Sequence, residues 1–398
     1  MRIGVPEVTV DGGEVTWSVA VSGLADAPDR LWFTLPADYA DMVTERADPA
    51  LIGLLVPAMR AGEPVTIDGP VTDELVFNLA RGCQYVLDRV IAGLSQVPIE
   101  ATRTVPAGSP AGGVATGFSA GVDSFAVLAE HLFAEVPPDL RLTHLTFFNV
   151  GSHGPGEGGR QVFRQRFKLL TPAVTEIGLP FIPVDSNLDD FYHFTTHLQT
   201  HSPRSLAAAS LLQAGFGRYY LASSTAYDNV GVFRSDTCAF ADAVMLPLLT
   251  TGQLRFISHG DQYTRVQKTV LAASIPLSHT SLNVCVNPPA SGGNCSRCFK
   301  CLRTELTLEI AGLLEEYGSV FDLDVYRQKK KVYVYDAAWD KGVYPDEIRA
   351  FARERGFRLP PVPRMLRGLG RVALAAIRRV RLEWRTLRRA QARRPGRS

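Results

Sequence analysis

The residues best suited to chemistry lie in one stretch, Gly117-Phe118-Ser119-Ala120-Gly121-Val122-Asp123-Ser124. The small apolar residues before it, 112–116, predict a buried parallel strand. The residues after it, 124–133, have apolar side chains at helical spacing. A helix start offers unpaired amides and the positive end of a dipole, and both favour phosphate. The pattern of strand, turn and helix therefore predicts a phosphate-binding loop.

The side chains of this stretch fit that chemistry. Ser119 and Ser124 supply hydroxyl donors, and Gly121 lets the backbone approach a ligand closely. Asp123 can cap the turn or bind a metal ion. The stretch matches neither the P-loop nor the Gly-x-Gly-x-x-Gly pattern. A strand–helix turn that is merely rich in small residues remains the alternative.

A second group of reactive residues is a cysteine array, Cys285-x9-Cys295-x2-Cys298-x2-Cys301. In a chain that we expect to be cytoplasmic, this spacing indicates a metal site rather than disulfides. Four thiolates in a tetrahedron are typical of structural zinc. The alternatives are an iron–sulfur cluster or unrelated core cysteines.

Alternating strands and helices must position both motifs. Predicted strands cover 142–150, 181–185, 219–224 and 254–258, and predicted helices cover 159–177, 205–214 and 264–273. Repeated strand–helix units predict an α/β fold with a doubly wound parallel sheet. Ligands bind such sheets at the carboxyl ends of the strands. We therefore expect the phosphate loop, Asn149 and the turn at 223–224 to share one edge, with Asn149 in the nucleotide site.

The loop resembles the Ser-Gly-Gly-x-Asp-Ser motif of the PP-loop ATP pyrophosphatases, although Ala120 stands where that family usually has its second glycine. The resemblance implies an adenine nucleotide alpha-hydrolase-like fold and cleavage of ATP to AMP and pyrophosphate, with Mg²⁺ as cofactor. It also implies catalytic roles for Ser119, Asp123 and Ser124. The residues that it implies at the ATP phosphates are Ser119, Ala120, Gly121, Val122, Asp123 and Ser124.

The loop, followed far downstream by the cysteine array and Leu-Arg, resembles the 7-cyano-7-deazaguanine synthase family over about 112–310. The segment 226–236 is similar to that family's substrate segment, which implies that Asp228 and Asp236 face the substrate. It is two residues longer and lacks the family's Tyr-Pro. Arg265 falls near the family's helix lysine, and Lys268 follows one turn later. We interpret the chain as a divergent relative of this family.

This resemblance implies an ATP-dependent ligase or amidotransferase. A small-molecule carboxylate or amide would be adenylated, and ammonia or another nitrogen nucleophile would then displace AMP. Related enzymes transfer sulfur through a persulfide or aminate sugars of surface polysaccharides. Cys238, the cysteine of this region outside the array, is a sulfur-carrier candidate, although a packed thiol is the more common role. A non-catalytic nucleotide-binding module is the alternative from another class.

Length and composition predict several units in the 398-residue chain. We expect a small α+β domain over 1–108, the nucleotide-binding domain with its four-cysteine zinc loop over 109–310, a helical extension over 311–362 and a basic tail over 363–398. A homodimer is compatible with this organisation. No signal peptide or membrane-spanning stretch is evident, so we expect a cytoplasmic protein.

The tail carries the strongest charge bias. From Arg364 to Ser398 there are twelve arginines and one acid, so a net charge of +2 combines a tail of +11 with a body of −9 (2 − 11). Apolar residues near helical spacing predict a basic amphipathic helix that binds an anionic membrane surface or packs on the body. Because no pattern of stacking aromatics accompanies the arginines, nucleic acid is a less favoured partner than a membrane.

Overall fold

The computed structural model describes residues 1–289 and 292–361. The basic tail predicted over 363–398 lies outside the described residues. Within them the strands are β1 (Arg2–Ile3), β2 (Glu7–Asp11), β3 (Glu14–Ser22), β4 (Arg30–Pro36), β5 (Val65–Ile67), β6 (Val71–Thr72), β7 (Ile99–Ala101), β8 (Thr104–Val105), β9 (Gly113–Gly117), β10 (His144–Phe148), β11 (Phe181–Ser186), β12 (Phe216–Ala222) and β13 (Arg255–His259).

Among the described residues, one α-helix lies between each pair of successive strands from β9 to β13. The remaining α-helices lie before β9 or after β13. They are α1 (Asp48–Ala61), α2 (Asp73–Asn78), α3 (Gln84–Val90), α4 (Val122–Leu128), α5 (Gly156–Ile177), α6 (His197–Leu211), α7 (Asp242–Met245), α8 (Arg265–Ala273), α9 (Ser278–Ser281), α10 (Phe299–Ala311), α11 (Leu323–Trp339) and α12 (Val343–Glu354). Two π-helical turns, Leu79–Cys83 and Ala129–Phe133, continue α2 and α4 without a break.

One large, mostly parallel sheet forms the centre of the molecule. Its strand order is β13-β12-β9-β10-β11-β4-β3-β1-β5-β7, and β2 pairs with β3. The five strands from β13 to β11 are all parallel. Along the chain the sheet grows from β9 through β10 to β11, and then returns to the other side of β9 for β12 and β13. The predicted α/β class with a largely parallel sheet is therefore confirmed.

Apolar residues cover both faces of the parallel strands. Along β9 and β12, Val114 and Tyr220 belong to one hydrophobic cluster, whereas Ala115 and Tyr219 belong to the other. This alternation follows from the period of two in a strand. Helices α4, α5, α8 and α10 contribute to the first cluster, and α1 and α6 contribute to the second. Because parallel strands are buried on both faces, their side chains are apolar in nearly continuous runs.

The first 108 residues continue the same sheet. Strand β4 pairs antiparallel with β11, with Thr34 opposite Asp185. In addition, the Gln213 side chain donates a hydrogen bond to buried Asp48 of α1 at 2.8 Å. The amino-terminal residues and the parallel strands thus share a sheet and a hydrophobic cluster. The division at residue 108 stays a prediction about organisation.

Two predicted elements have features that the local sequence does not explain. Pro183 lies in β11, between two neighbouring strands, although proline cannot donate to a ladder. The antiparallel neighbour β4 pairs with Asp185 and Ser186, past the proline, so the missing donor is tolerated. Helix α11 falls within the predicted helical extension over 311–362, but no local pattern gave its bounds, because its apolar and charged residues follow no clear face. Among the described helices, none combines the length and the apolar character needed to span a membrane.

Candidate functional site

The predicted phosphate loop forms a tight turn between β9 and α4. Ala120 is in the left-handed region, with φ of 54°. Its carbonyl accepts a hydrogen bond from the amide of Asn283 at 2.8 Å, which ties the turn to the segment that leads to the cysteine array. Gly121 is the residue before the first turn of α4, and no side chain caps that turn. The first amides of α4 therefore have no side-chain partner, as an anion site requires.

The two serines of the loop have different surroundings. Ser119 is exposed. Ser124 is buried, and its hydroxyl donates to the carbonyl of Gly121 at 2.9 Å, which closes the turn. A Cβ on Gly121 would lie 3.3 Å from Ser119 Oγ, so a side chain there would crowd the loop. Ser119 is therefore the serine whose hydroxyl is available to a ligand.

Asp123 is held by two buried cations from α8. Arg265 Nη1 lies 2.7 Å from Asp123 Oδ1, and Lys268 Nζ lies 3.7 Å from the same oxygen. The side chains of Arg265 and Lys268 are 10% and 2% exposed. Lys268 Nζ also donates to the carbonyl of Ser223, just after β12, at 2.6 Å. The loop after β9, the turn after β12 and the start of α8 therefore meet at one edge of the sheet.

The pKa values of Arg265 and Lys268 reflect two opposing effects, burial and the charges of neighbouring groups. Burial lowers the pKa of Lys268, and Asp123 only partly offsets that effect. Burial also opposes the charge of Arg265, but Asp123, Tyr344 and Glu347 together outweigh it, and the pKa of Arg265 is raised. Two cations beside one carboxylate leave an excess of positive charge, which favours a further anion.

Two more cations and one acid surround this pair. Burial and the nearby Arg265 lower the pKa values of Lys300 and Arg303. Glu347 of α12 accepts a hydrogen bond from the amide of Val266 at 3.4 Å, at the start of α8. The guanidinium carbon of Arg303 lies 3.9 Å from the centre of the Tyr344 ring. Helix α12 therefore forms part of the wall of the site, although the sequence gives no signal for this contact.

Asn149 lies at the same edge, directly after β10. Its side-chain nitrogen Nδ2 donates to Asp185 Oδ1 at 2.6 Å, and its backbone carbonyl accepts from Ser186 Oγ at 2.7 Å. It lines a small cleft together with Gly151, Gly154, Ser186 and Asp189. Strands β12, β9 and β10 are parallel neighbours, so the turn at 223–224, the phosphate loop and Asn149 lie at the same edge of the sheet, as expected.

The two aspartates that the resemblance assigns to the substrate do not contact the ion pair of Asp123 and Arg265. Asp228 and Asp236 are both exposed, on the chain between β12 and the turn Cys238–Ala241. The structure brings Arg265 to Asp123, as described, but it gives neither aspartate a contact with that pair. Cys238 is fully buried, with its Sγ 3.3 Å from Ser202 Oγ. That burial favours a packed thiol over an accessible sulfur carrier.

The four cysteines of the array converge. Their sulfur atoms all lie within 4.8 Å of one another, with 3.5 Å between Cys298 and Cys301 and 4.0 Å between Cys285 and Cys298. Tetrahedral zinc with Zn–S bonds of about 2.3 Å places its sulfur atoms about 3.8 Å apart. The amide of Asn287 lies 3.3 Å from Cys285 Sγ and donates to it. This cluster could hold a metal ion such as zinc.

Sequence reasoning did not assign a role to Lys268 or Glu347. Lys268 could have been found from helical spacing, because it lies one turn after Arg265 on the same face. Glu347 reaches the site only through the packing of α12 on α8, which no local pattern specifies. Comparison of the chain with protein-family models, curated proteins and solved structures gave no match.

Proposed function

We propose that the protein is an ATP-dependent ligase or amidotransferase that adenylates a small-molecule carboxylate or amide and releases pyrophosphate. A nitrogen nucleophile, such as ammonia, then displaces AMP. One observation carries this proposal: Asp123 of the phosphate loop meets two buried cations, Arg265 and Lys268, where the strand order reverses between β9 and β12. Ligands of open α/β sheets bind at such a reversal point.

The charges at this edge suit a polyphosphate. Four cations, Arg265, Lys268, Lys300 and Arg303, face three acids, Asp123, Asp261 and Glu347. The excess of positive charge favours an anion, and the uncapped amides of α4 add further donors. The loop is similar to the PP-loop, and a strand order in which the chain reverses beside β9 is the one expected of a doubly wound, adenine nucleotide alpha-hydrolase-like fold.

In the proposed reaction, negative charge develops on the departing pyrophosphate. An acceptor oxygen attacks the α-phosphorus, the bond from that phosphorus to the bridging oxygen breaks, and pyrophosphate leaves with the electron pair. Lys268 and Arg265 are placed to neutralise that leaving group, because charge stabilisation at the departing oxygens lowers the barrier. Mg²⁺, held by Asp123 and the phosphates, would supply further charge neutralisation.

We assign Cys285, Cys295, Cys298 and Cys301 to a structural zinc ion. The array begins two residues after Asn283, which bonds to the phosphate loop, and ends at Cys301 inside α10, which also carries Arg303. Zinc would therefore hold both supports of the site in place. A closed four-thiolate site has no open position for a substrate, so its role is structural rather than catalytic.

The experiment is AMP release by the full-length protein, with ATP, Mg²⁺, ammonium and a panel of acids that includes deazaguanine acids and uronic acids. We expect Asp123→Asn to lower turnover on the order of 100-fold, because it removes the carboxylate that positions the cations and Mg²⁺. Asp139→Asn, a change at an exposed turn, serves as the matched control and should be neutral.

Each outcome has a distinct meaning. Normal turnover of Asp123→Asn would refute the assignment of the loop. ATP binding without AMP release from any acid would favour the alternative class, a nucleotide-binding module without chemistry. Release of AMP with a sulfur donor but not with ammonium would favour a sulfurtransferase, whereas AMP release that depends on a uronic acid would favour a sugar amidotransferase.

A further inference from the structure

A second carboxylate near the phosphate loop, that of Asp261, is buried without a hydrogen bond. Asp261 follows β13 through Gly260, whose φ of 91° turns the chain at the carboxyl end of the strand. The residue is 1% exposed. Neither of its carboxylate oxygens has a hydrogen-bond partner among the described residues. Burial of an unpaired carboxylate costs several kcal/mol, so such a group calls for a ligand or a function.

The surroundings connect Asp261 with the proposed active site. A Cβ on Gly260 would lie 3.6 Å from Lys268 Nζ, so this turn packs against the charged end of the Lys268 side chain, which also faces Asp123. Burial lowers the pKa of Lys268, and the charge of Asp261 acts in the opposite direction. The carbonyl of Asp261 accepts the amide of Tyr227 at 2.7 Å. This bond ties the turn to segment 226–236, which the family resemblance implies is near the substrate.

The chemistry of the site favours a nitrogen cation over a divalent metal. A magnesium or zinc ion needs several acidic or cysteine ligands, and within the described residues only the four cysteines gather three or more. An ammonium ion needs only acceptors for its N–H groups, and Asp261 offers two free oxygens.

We propose that Asp261 binds the ammonium ion that supplies the nucleophile and takes one proton from it. This inference rests on the proposed function and names the second substrate of the same site. Ammonium transfers a proton to the carboxylate of Asp261 and becomes ammonia. Ammonia attacks the acyl carbon of the adenylate, a C–N bond forms, and the C–O bond to AMP breaks with its electron pair on AMP. The added nitrogen then releases its second proton to solvent.

Lys268 favours the same step. A positive charge close to a bound ammonium disfavours the charged form, so it shifts the equilibrium toward neutral ammonia. Asp261 accepts the proton that is released. One acid and one cation at a buried position therefore convert a non-nucleophilic ion into a nucleophile, next to the loop where the adenylate would form.

The first test requires no knowledge of the acceptor. Crystals of the full-length protein are soaked in rubidium chloride, which supplies an ammonium-sized monovalent cation with an anomalous signal. We expect a rubidium peak within about 3 Å of the Asp261 oxygens, a contact distance like that of a hydrogen bond. The peak should disappear when ammonium chloride is added, and it should be absent from Asp261→Asn. No peak in the wild-type protein, or a peak that ammonium does not displace, would overturn the proposal.

The second test uses the acid identified by AMP release. We expect Asp261→Asn to raise KM for ammonium at least about tenfold, equivalent to about 1.4 kcal/mol, with KM for ATP within about twofold of wild type. The matched control is Asp139→Asn. An unchanged KM for ammonium would refute the role of Asp261. Failure of the wild-type protein to exchange pyrophosphate into ATP would refute the proposed function instead, and the rubidium result would still decide the cation site.

Discussion

The strained position of Ala120 leads to a quantitative prediction for Ala120→Gly. Ala120 has φ of 54° and is fully buried. A left-handed conformation costs an alanine about 1–2 kcal/mol, a cost that glycine does not pay. Glycine instead loses a buried methyl group, worth about 0.8 kcal/mol, and adds about 0.5–1 kcal/mol of chain entropy to the unfolded state. The terms nearly cancel, so the variant should lie within about 1 kcal/mol of the wild type.

Ala126→Gly is the matched control. Ala126 is equally buried, in the same helix that follows the loop, but it has an ordinary helical backbone. Glycine there loses the methyl group and about 1 kcal/mol of helix propensity, with no strain relieved. We expect Ala126→Gly to be destabilised by about 2 kcal/mol, and therefore by about 1–2 kcal/mol more than Ala120→Gly.

The assay is urea unfolding of both variants, followed by tryptophan fluorescence and circular dichroism, with the free energy of unfolding taken from midpoint and slope. The difference between the two variants isolates the strain, because the lost methyl group is common to both. If Ala120→Gly is destabilised as much as Ala126→Gly, the loop is not strained and the argument about its backbone is wrong.

Two other predictions concern metal and pH. We expect about one zinc ion per chain by mass spectrometry of metals, lost together with several degrees of thermal stability in Cys301→Ser but retained in Cys83→Ser, because Cys83 lies in the core outside the array. Zinc content that is unaffected by Cys301→Ser would contradict the site. Burial and the nearby His201 lower the pKa of His197 from 6.5 to about 3, so its contribution to stability is present above pH 6.5 and is lost as pH falls toward 3. Burial opposes the charge of His201, but Cys238 and Asp242 raise its pKa to about 9, so its contribution is present below pH 6.5 and is lost as pH rises through 9. Melting temperatures across this range should therefore peak near neutral pH, and His201→Gln should flatten the alkaline side; an unchanged alkaline slope would refute that assignment.

Local patterns accounted for much of the site. The strand, turn and helix around residues 117–124 could be predicted because they are adjacent in sequence. The placement of Asn149 and the turn at 223–224 at the same edge of the sheet followed from the rule that carboxyl ends of parallel strands share an edge. The convergence of the cysteines followed from their spacing.

Contacts between distant elements were not predictable. Nothing in the residues of β4 indicates that it pairs with β11, because an apolar strand does not specify its neighbour. Glu347 reaches the start of α8 only through helix packing. Asp261 could have been singled out, since it follows a predicted strand at the carboxyl edge of the sheet, but its lack of a side-chain hydrogen bond within the described residues is visible only in three dimensions.

The most direct measurement is the identity of the product formed from ATP labelled at the α-phosphate. The purified full-length protein is incubated with Mg²⁺, ammonium and the acid panel, and the labelled nucleotides are separated by chromatography. The pairing of Asp123 with Arg265 and Lys268 at the loop predicts labelled AMP together with unlabelled pyrophosphate, in amounts that depend on one acid. Labelled ADP would show that the bond beyond the β-phosphate is cleaved, and it would contradict the proposed adenylation.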